Sequence, residues 1–341
     1  MSAPRTAPDF DRIRAAEARL AGHIRRTPLL NAPALDAIAG RRIWVKAEAL
    51  QHTGSFKARG GWAAVSAMSA AERARGVLAY SSGNHAQGVA RAAKAFDTPA
   101  QIIMPSDAPA IKSETTRALG AEVIFYDRAS ENREALGSAL MEERGLSLIP
   151  PYDHPEVMAG QATTGLEIAE QAGEVGVHEA DVLVCCGGGG LSAGTALALA
   201  ETAPGLHVRP VEPEGFDDMT RSLASGQRVT NARRAGSICD AILTPTPGDL
   251  TFPVLQALAG PGCVVSEDDA LRAMALAAQH LKLVLEPGGA VALAAALFHP
   301  SACAGPDVIA IATGGNVSPE MLARALSRGT EPCATGEGTA A

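Results

Sequence analysis

Aromatic residues make up only 4% of this 341-residue chain. A core so short of Phe, Tyr and Trp must be filled with Ala, Val, Leu and Ile. Basic runs are equally scarce. Nothing exceeds doublets such as Arg41-Arg42, and the net charge is −8, which argues against a nucleic-acid partner. No apolar stretch approaches the roughly 20 residues of a bilayer span; those at 191–200 and 290–298 are too short. The opening residues MSAPRTAPDF lack the apolar segment of a secretory signal. The six cysteines form no CxxC pair and no zinc spacing with histidine, so buried free thiols in a reducing compartment are expected. Together these absences predict a cytoplasmic protein whose partner is a small molecule, with no nucleic acid and no membrane.

What is present is glycine, 35 residues of it, and a regular alternation of short apolar runs with helical patterns. Strands are predicted at 43–47, 77–80, 101–104, 122–126, 147–149, 181–186, 206–212 and 307–312. Helices are predicted between them, at 59–68, 86–96, 109–119, 130–144, 159–172, 191–203 and 288–298 among others. Strand–helix alternation with short turns implies an α/β fold whose parallel strands are covered by helices. Ser318 is predicted to cap a last helix with Pro319 at its first position.

Ligands of open α/β sheets gather at the carboxyl ends of the strands. Here those ends are unusual: 77–80 leads into SSGNH, 181–186 into four glycines, and 307–312 into TGGN. With HTGSFK at 52–57 they make four glycine-containing turns able to face one crevice. Gly187, Gly188, Gly189 and Gly190 stand between a strand and a helix. Their N–H groups and the helix dipole could cup a phosphate. The Lys-Ser/Thr of a P-loop is missing, and Ser192 spoils a dinucleotide fingerprint. Glu212, at the end of the next strand, still stands where a ribose-binding acid belongs, so an NAD-dependent oxidoreductase is one reading. Lys57 is either an ordinary helix lysine or, with a phosphate-bearing ligand in the cup, a Schiff-base lysine.

HTGSFKARGG, SSGNHAQG, CGGGGLSAG, VEPEGFDD and TGGN occur in that order. Together they resemble the fold-type II pyridoxal-phosphate (PLP) enzymes, in the branch of serine/threonine dehydratases and serine racemases, which includes hydroxyaspartate ammonia-lyases. The likeness covers residues 10–325. It implies a tryptophan synthase β-like fold with two open, mostly parallel sheets. Residues 1–60 with 147–325 would form a large cofactor domain, and 61–146 a small domain carrying the substrate-carboxylate loop 81–88. Residues 326–341 would be a disordered tail. A homodimer is implied as well.

By this resemblance Lys57 forms the Schiff base, Phe56 packs on the cofactor ring, and Gly187 to Gly190 hold the phosphate. Asn84 bonds the ring 3′-oxygen, and Thr313 faces the pyridine nitrogen. A hydroxyl there does not favour a protonated ring, which suits β-elimination. Ser81, Ser82, Asn84 and His85 would grip the substrate carboxylate, with His85 alternatively a packed loop residue. Ser82 opposite Lys57 would make a racemisation pair, or simply a hydrogen bond within its loop. Arg133 and Ser237 match pocket positions of the racemases. An arginine there suits a second carboxylate, and an exposed helix arginine is the other reading. Tyr152 departs from the Phe or Asn expected at its position. Glu212, the carbonyl of Phe216, and Asp218 resemble a divalent-metal loop for Mg²⁺, Mn²⁺ or Ca²⁺, or else are strand-end and capping acids. The implied activity is an ammonia-lyase acting on L-serine, L-threonine or 3-hydroxyaspartate. The alternative is a serine- or aspartate-type racemase with side elimination.

Overall fold

The computed structural model describes residues 6–328 apart from 82, 109, 128 and 129. Among the described residues ten strands form two sheets. β1 (Leu29–Asn31), β2 (Arg42–Lys46), β7 (Ala180–Cys185), β8 (Leu206–Pro213), β9 (Cys263–Val265) and β10 (Asp307–Ile311) build a six-stranded sheet in the order β1-β2-β10-β7-β8-β9. Only β1 runs antiparallel, paired with β2. β3 (Val77–Tyr80), β4 (Ala100–Pro105), β5 (Glu122–Tyr126) and β6 (Ser147–Leu148) form an all-parallel sheet in the order β5-β4-β3-β6. β6, just past the expected boundary at 147, thus pairs with β3 of this smaller sheet.

Two of the inner strands are covered on both faces. All five residues of β10 and all six of β4 are buried. The scarcity of aromatics is answered by alanine. The helix Pro287–Phe298, PGGAVALAAALF, is buried on every side through Leu297 and fills the core beneath β7, β8 and β10. The 20-residue helix Pro155–Glu174 packs on both Lys57–Ser66 and Gly190–Thr202. It thereby ties the lysine turn to the glycine turn. Gly194 lets it come close, since a Cβ there would stand 2.6 Å from the Met158 carbonyl oxygen.

The predicted strands 77–80 and 122–126 are observed with those ends. The predicted cap at Ser318 is also observed: its Oγ accepts from the Met321 N–H at 3.2 Å, and Pro319 opens the helix. That helix continues to Arg328, three residues into the stretch expected to be a tail. Strands β1 and β9 and the helices Pro33–Ala39 and Ala70–Arg75 are additions to the sequence reading. Cys185, Cys186, Cys239, Cys263 and Cys303 are buried and unpaired, as expected. Cys333 lies outside the described residues. Among those residues no helix is long and apolar enough to cross a membrane.

Candidate active site

The four glycine-containing turns meet. Ser55, in HTGSFK, bridges Gly314, in TGGN, and the Phe56 N–H donates to the Thr313 carbonyl at 3.1 Å. Asn84, first residue of the helix after SSG, reaches Asn316 of TGGN, whose Nδ2 donates to Asn84 Oδ1 at 2.7 Å. The glycine turn completes the ring through Tyr152: its aromatic carbons stand 2.3–2.4 Å from where a Cβ on Gly188 would lie. Any side chain there would displace the tyrosine. Gly189 has φ +89°, a left-handed conformation that opens the helix Gly190–Thr202 and leaves its first N–H groups free of side chains. Thr251 Oγ1 pins the turn by donating to the Gly188 carbonyl at 2.6 Å.

Lys57 starts the helix Lys57–Ser66. Its Nζ donates to the Pro151 carbonyl at 2.6 Å and lies 5.0 Å from the centre of the Phe56 ring. Burial without a carboxylate partner pulls its ammonium down to about 8. An amine of that kind is available as a nucleophile and as a base near neutral pH. Thr313 is 4% exposed at the end of β10. Ser55 Oγ and His85 Nδ1 are buried without a hydrogen-bond partner. A glycine cradle with no side-chain cap, a depressed lysine and orphaned polar atoms fit a phosphate-bearing carbonyl cofactor.

His85 is 3% exposed, and its Nε2 lies 2.8 Å from the Ile149 carbonyl. Burial, with the Lys57 charge nearby, drives the imidazole down to about 3, so it stays neutral. It is a packed histidine in the first turn of the helix Asn84–Ala95. Ser81 Oγ accepts from the Gly83 N–H at 3.1 Å and shapes the loop. Ser82 lies outside the described residues.

Arg133 opens the helix Arg133–Arg144. Its guanidinium stands 5.9 Å from the Tyr80 ring centre and within electrostatic reach of Tyr126 and Tyr152. Its Nε donates to Glu134 at 2.8 Å. The arginine is thus within electrostatic reach of the tyrosine that covers the glycine turn. Ser237 lines a cavity of about 400 Å³ with Glu214, Phe216, Arg233 and Glu267. Its Oγ accepts from the Cys239 N–H at 3.2 Å.

Glu212 caps the helix Asp218–Ser225. Its oxygens accept from the N–H groups of Met219 (2.9 Å) and Thr220 (2.7 Å), and from Thr220 Oγ1. Asp218 Oδ1 accepts from Asn231 Nδ2 at 2.6 Å, while its Oδ2 is buried with no partner. Burial and the neighbouring Asp218 raise the Glu212 carboxyl to about 8; burial raises Asp218 to about 6. The Phe216 side chain is buried. No group of three or more His, Cys, Asp or Glu able to hold a metal occurs among the described residues.

The sequence reading missed Glu286. It accepts from Asn84 Nδ2 at 2.6 Å, and burial raises its carboxyl to about 7. Its one sequence signal is an acid set against Pro-Gly-Gly in an otherwise apolar stretch, LVLEPGGAVAL.

A glycine turn under Tyr152, next in sequence to the Pro151 that anchors a depressed lysine, defines a site for PLP chemistry, and comparison with known proteins agrees. The model of the family "Pyridoxal-phosphate dependent enzyme" matches residues 20–314. The chain belongs to this family, in its fold-type II group. It is 42% identical over 316 residues to an L-threo-3-hydroxyaspartate ammonia-lyase of Pseudomonas sp, covering 93% of this chain and 97% of that one. It is 36% identical over 321 residues to a serine racemase of Schizosaccharomyces pombe, covering 94% and 98%. The solved structure of maize serine racemase superposes with a TM-score of 0.86 at 35% identity, covering 94% of this chain and 98% of that one. A solved threonine deaminase superposes with the same TM-score of 0.86 at 42% identity, covering 91% and 99%. The family match decides for PLP over the nicotinamide reading of the glycine turn.

Proposed function

We propose that this protein is an ammonia-lyase that converts 3-hydroxyaspartate to the corresponding 2-oxo dicarboxylic acid and ammonia, in preference to serine or threonine. The observation that carries the substrate choice is Arg133, a guanidinium 5.9 Å from the Tyr80 ring centre and within electrostatic reach of Tyr152 at the glycine turn. Guanidinium pairs with a carboxylate in two-point fashion, and of these substrates only hydroxyaspartate has a second one. The relative named as a hydroxyaspartate ammonia-lyase supports the same choice.

Bound PLP supplies the electron sink that loosens the Cα proton and lets the β-hydroxyl depart as water. The chain's own groups do the rest. Gly187 to Gly190 present N–H groups to the phosphate at the start of the helix Gly190–Thr202. Lys57, anchored by Pro151 and lowered to about 8, is the linking residue and then the base for the Cα proton. Phe56 would support the ring, Thr313 would meet its nitrogen, and Asn84 would meet its 3′-oxygen. The loop 81–88 takes the α-carboxylate through N–H groups. Water lost in elimination is regained when the product hydrolyses to the 2-oxo acid. On this reading residues 1–60 with 147–325 hold the cofactor and 61–146 carry the carboxylate loop, and two chains form a homodimer.

A divalent cation such as Mg²⁺ belongs to the same reading. The partnerless Asp218 Oδ2 favours it, since a buried oxygen left without a hydrogen bond is costly. Glu212 Oε1 takes a single hydrogen bond and keeps an acceptor site, and the Phe216 carbonyl would complete the protein ligands.

The test is ammonia release from L-threo-3-hydroxyaspartate, L-serine and L-threonine by the purified protein and by Arg133→Ala. Hydroxyaspartate should have the highest kcat/KM and should lose about a hundredfold in the variant, the cost of one unpaired charge. Serine and threonine should lose less. Faster turnover of serine or threonine by the native protein would refute the substrate assignment. The D-isomer of the substrate as main product would favour the racemase reading.

A further inference from the structure

Asn84 does not stand alone. Its Nδ2 donates to Glu286 Oε1 at 2.6 Å, and its Oδ1 accepts from Asn316 Nδ2 at 2.7 Å. Asn316 Nδ2 also donates to the Thr53 carbonyl at 2.8 Å. A backbone carbonyl can only accept, so Thr53 fixes which end of the Asn316 amide faces inward. That end is a donor, so it can meet only the oxygen of Asn84. Asn84 must then turn its NH₂ toward Glu286, whose Oε1 accepts. Every link agrees, and the amide orientation of Asn84 is determined from both sides. One N–H of Asn84 remains uncommitted.

The backbone is shaped to permit this chain. Thr53 takes φ +59°, a conformation unusual for a β-branched residue, and thereby aims its carbonyl at Asn316. Gly314 leaves room for the Glu286 carboxylate: a Cβ there would lie 2.0 Å from Oε1 and 3.1 Å from Asn84 Nδ2. Gly314 in turn accepts from the Glu286 N–H through its own carbonyl at 3.1 Å. Four segments distant in sequence thus converge on one amide, more apparatus than a loop asparagine needs for folding.

We infer that Glu286 and Asn316 are positioning residues that hold the Asn84 amide with its free N–H toward the cofactor's 3′-oxygen, Glu286 by accepting one N–H and Asn316 by blocking the flipped amide. The inference rests on the proposed role of Asn84. Without the pair, the amide can rotate and present its oxygen to the ligand oxygen, which repels it. The carboxylate of Glu286 need not be charged for this. An amide oxygen in the same place would serve, so Glu286→Gln should rescue what Glu286→Ala loses.

The test measures PLP affinity by titrating the apo protein and records the visible band of the bound cofactor, for the native chain and for Glu286→Ala, Glu286→Gln, Asn316→Ala and Asn84→Ala. Asn84→Ala and Glu286→Ala should each weaken PLP binding about tenfold, roughly the worth of one hydrogen bond, and shift the band. Asn316→Ala should shift the band in the same direction. Asn316 is exposed, so this variant keeps a folded readout if Glu286→Ala does not fold. Glu286→Gln should stay near the native affinity and band. If Asn84→Ala changes both readouts while Glu286→Ala and Asn316→Ala change neither, the positioning claim fails and the role of Asn84 stands. An unaffected Asn84→Ala would instead overturn the role of Asn84 on which the inference rests. Equal losses in Glu286→Gln and Glu286→Ala would show that charge, not orientation, is what Glu286 provides.

Discussion

Arg59 and Glu48 form a two-point ion pair inside the protein: Arg59 Nε and Nη2 donate to Glu48 Oε2 and Oε1 at 2.8 and 2.7 Å. Both side chains are almost wholly buried, at 1% and 0% exposure. Burial alone would raise the Glu48 carboxyl, but the Arg59 guanidinium beside it holds it below its usual range. Arg59 also donates to both oxygens of Glu167, and Lys46 donates to Glu167 Oε2 as well. This network lies two residues beyond Lys57 and fastens the first turn of its helix to β2 and to Pro155–Glu174.

Removing one partner of a buried pair leaves an uncompensated charge, at a cost of roughly 3–5 kcal/mol. Arg59→Ala should therefore lower the unfolding midpoint steeply. Arg59→Lys should recover little, because an ammonium cannot satisfy two carboxylates in the guanidinium's geometry. Denaturant unfolding checks this, and a near-native midpoint for Arg59→Ala would contradict it.

The depressed Lys57 sets a pH dependence on cofactor capture by the apo protein. Only the neutral amine attacks a carbonyl. With its pKa lowered to about 8 by burial, the capture rate should rise with pH up to about 8 and level off above it. A lysine at its ordinary value would keep gaining to about pH 10. Stopped-flow absorbance after mixing apo protein with PLP distinguishes the two.

Gly188→Ala places a methyl 2.3 Å from a Tyr152 ring carbon. The tyrosine is partly exposed and can swing outward, so the fold should survive. PLP affinity should fall by tenfold or more, since the turn must shift, an effect of about 1.4 kcal/mol or above. Equilibrium titration measures the affinity and circular dichroism the fold.

Metal addition offers a separate check. Mg²⁺ at millimolar concentration should raise the thermal midpoint of the native chain, and a chelator should reverse the rise. Asp218→Asn keeps an oxygen for Asn231 but loses the charge, so its midpoint should not respond. An equal response in the variant would remove Asp218 from the metal site.

Much of this was legible in the chain. Long apolar runs closed by glycine, such as DVLVCC and DVIAIA, mark β7 and β10 because strands buried on both faces carry no alternation. A phosphate-binding turn followed from the same glycines, and the PLP chemistry from the resemblance carried by the five ordered motifs. β1 and β9 were not legible: three residues each, LLN and CVV, are too few for a period, and their pairing is supplied by β2 and β8. Glu286 escaped because its partner Asn84 lies 202 residues away, a distance that only the fold closes. Lys46 and Glu48 gave a partial signal, charges inside IWVKAEAL, but nothing local told that Arg59 and Glu167 would meet them.

The most direct measurement is the visible spectrum of the purified protein before and after borohydride, followed by peptide mass analysis. A band that vanishes on reduction, with the pyridoxyl mass on the peptide bearing Lys57, is the predicted result. Reduction that labels a different lysine, or a protein that takes up no PLP at all, would contradict the account.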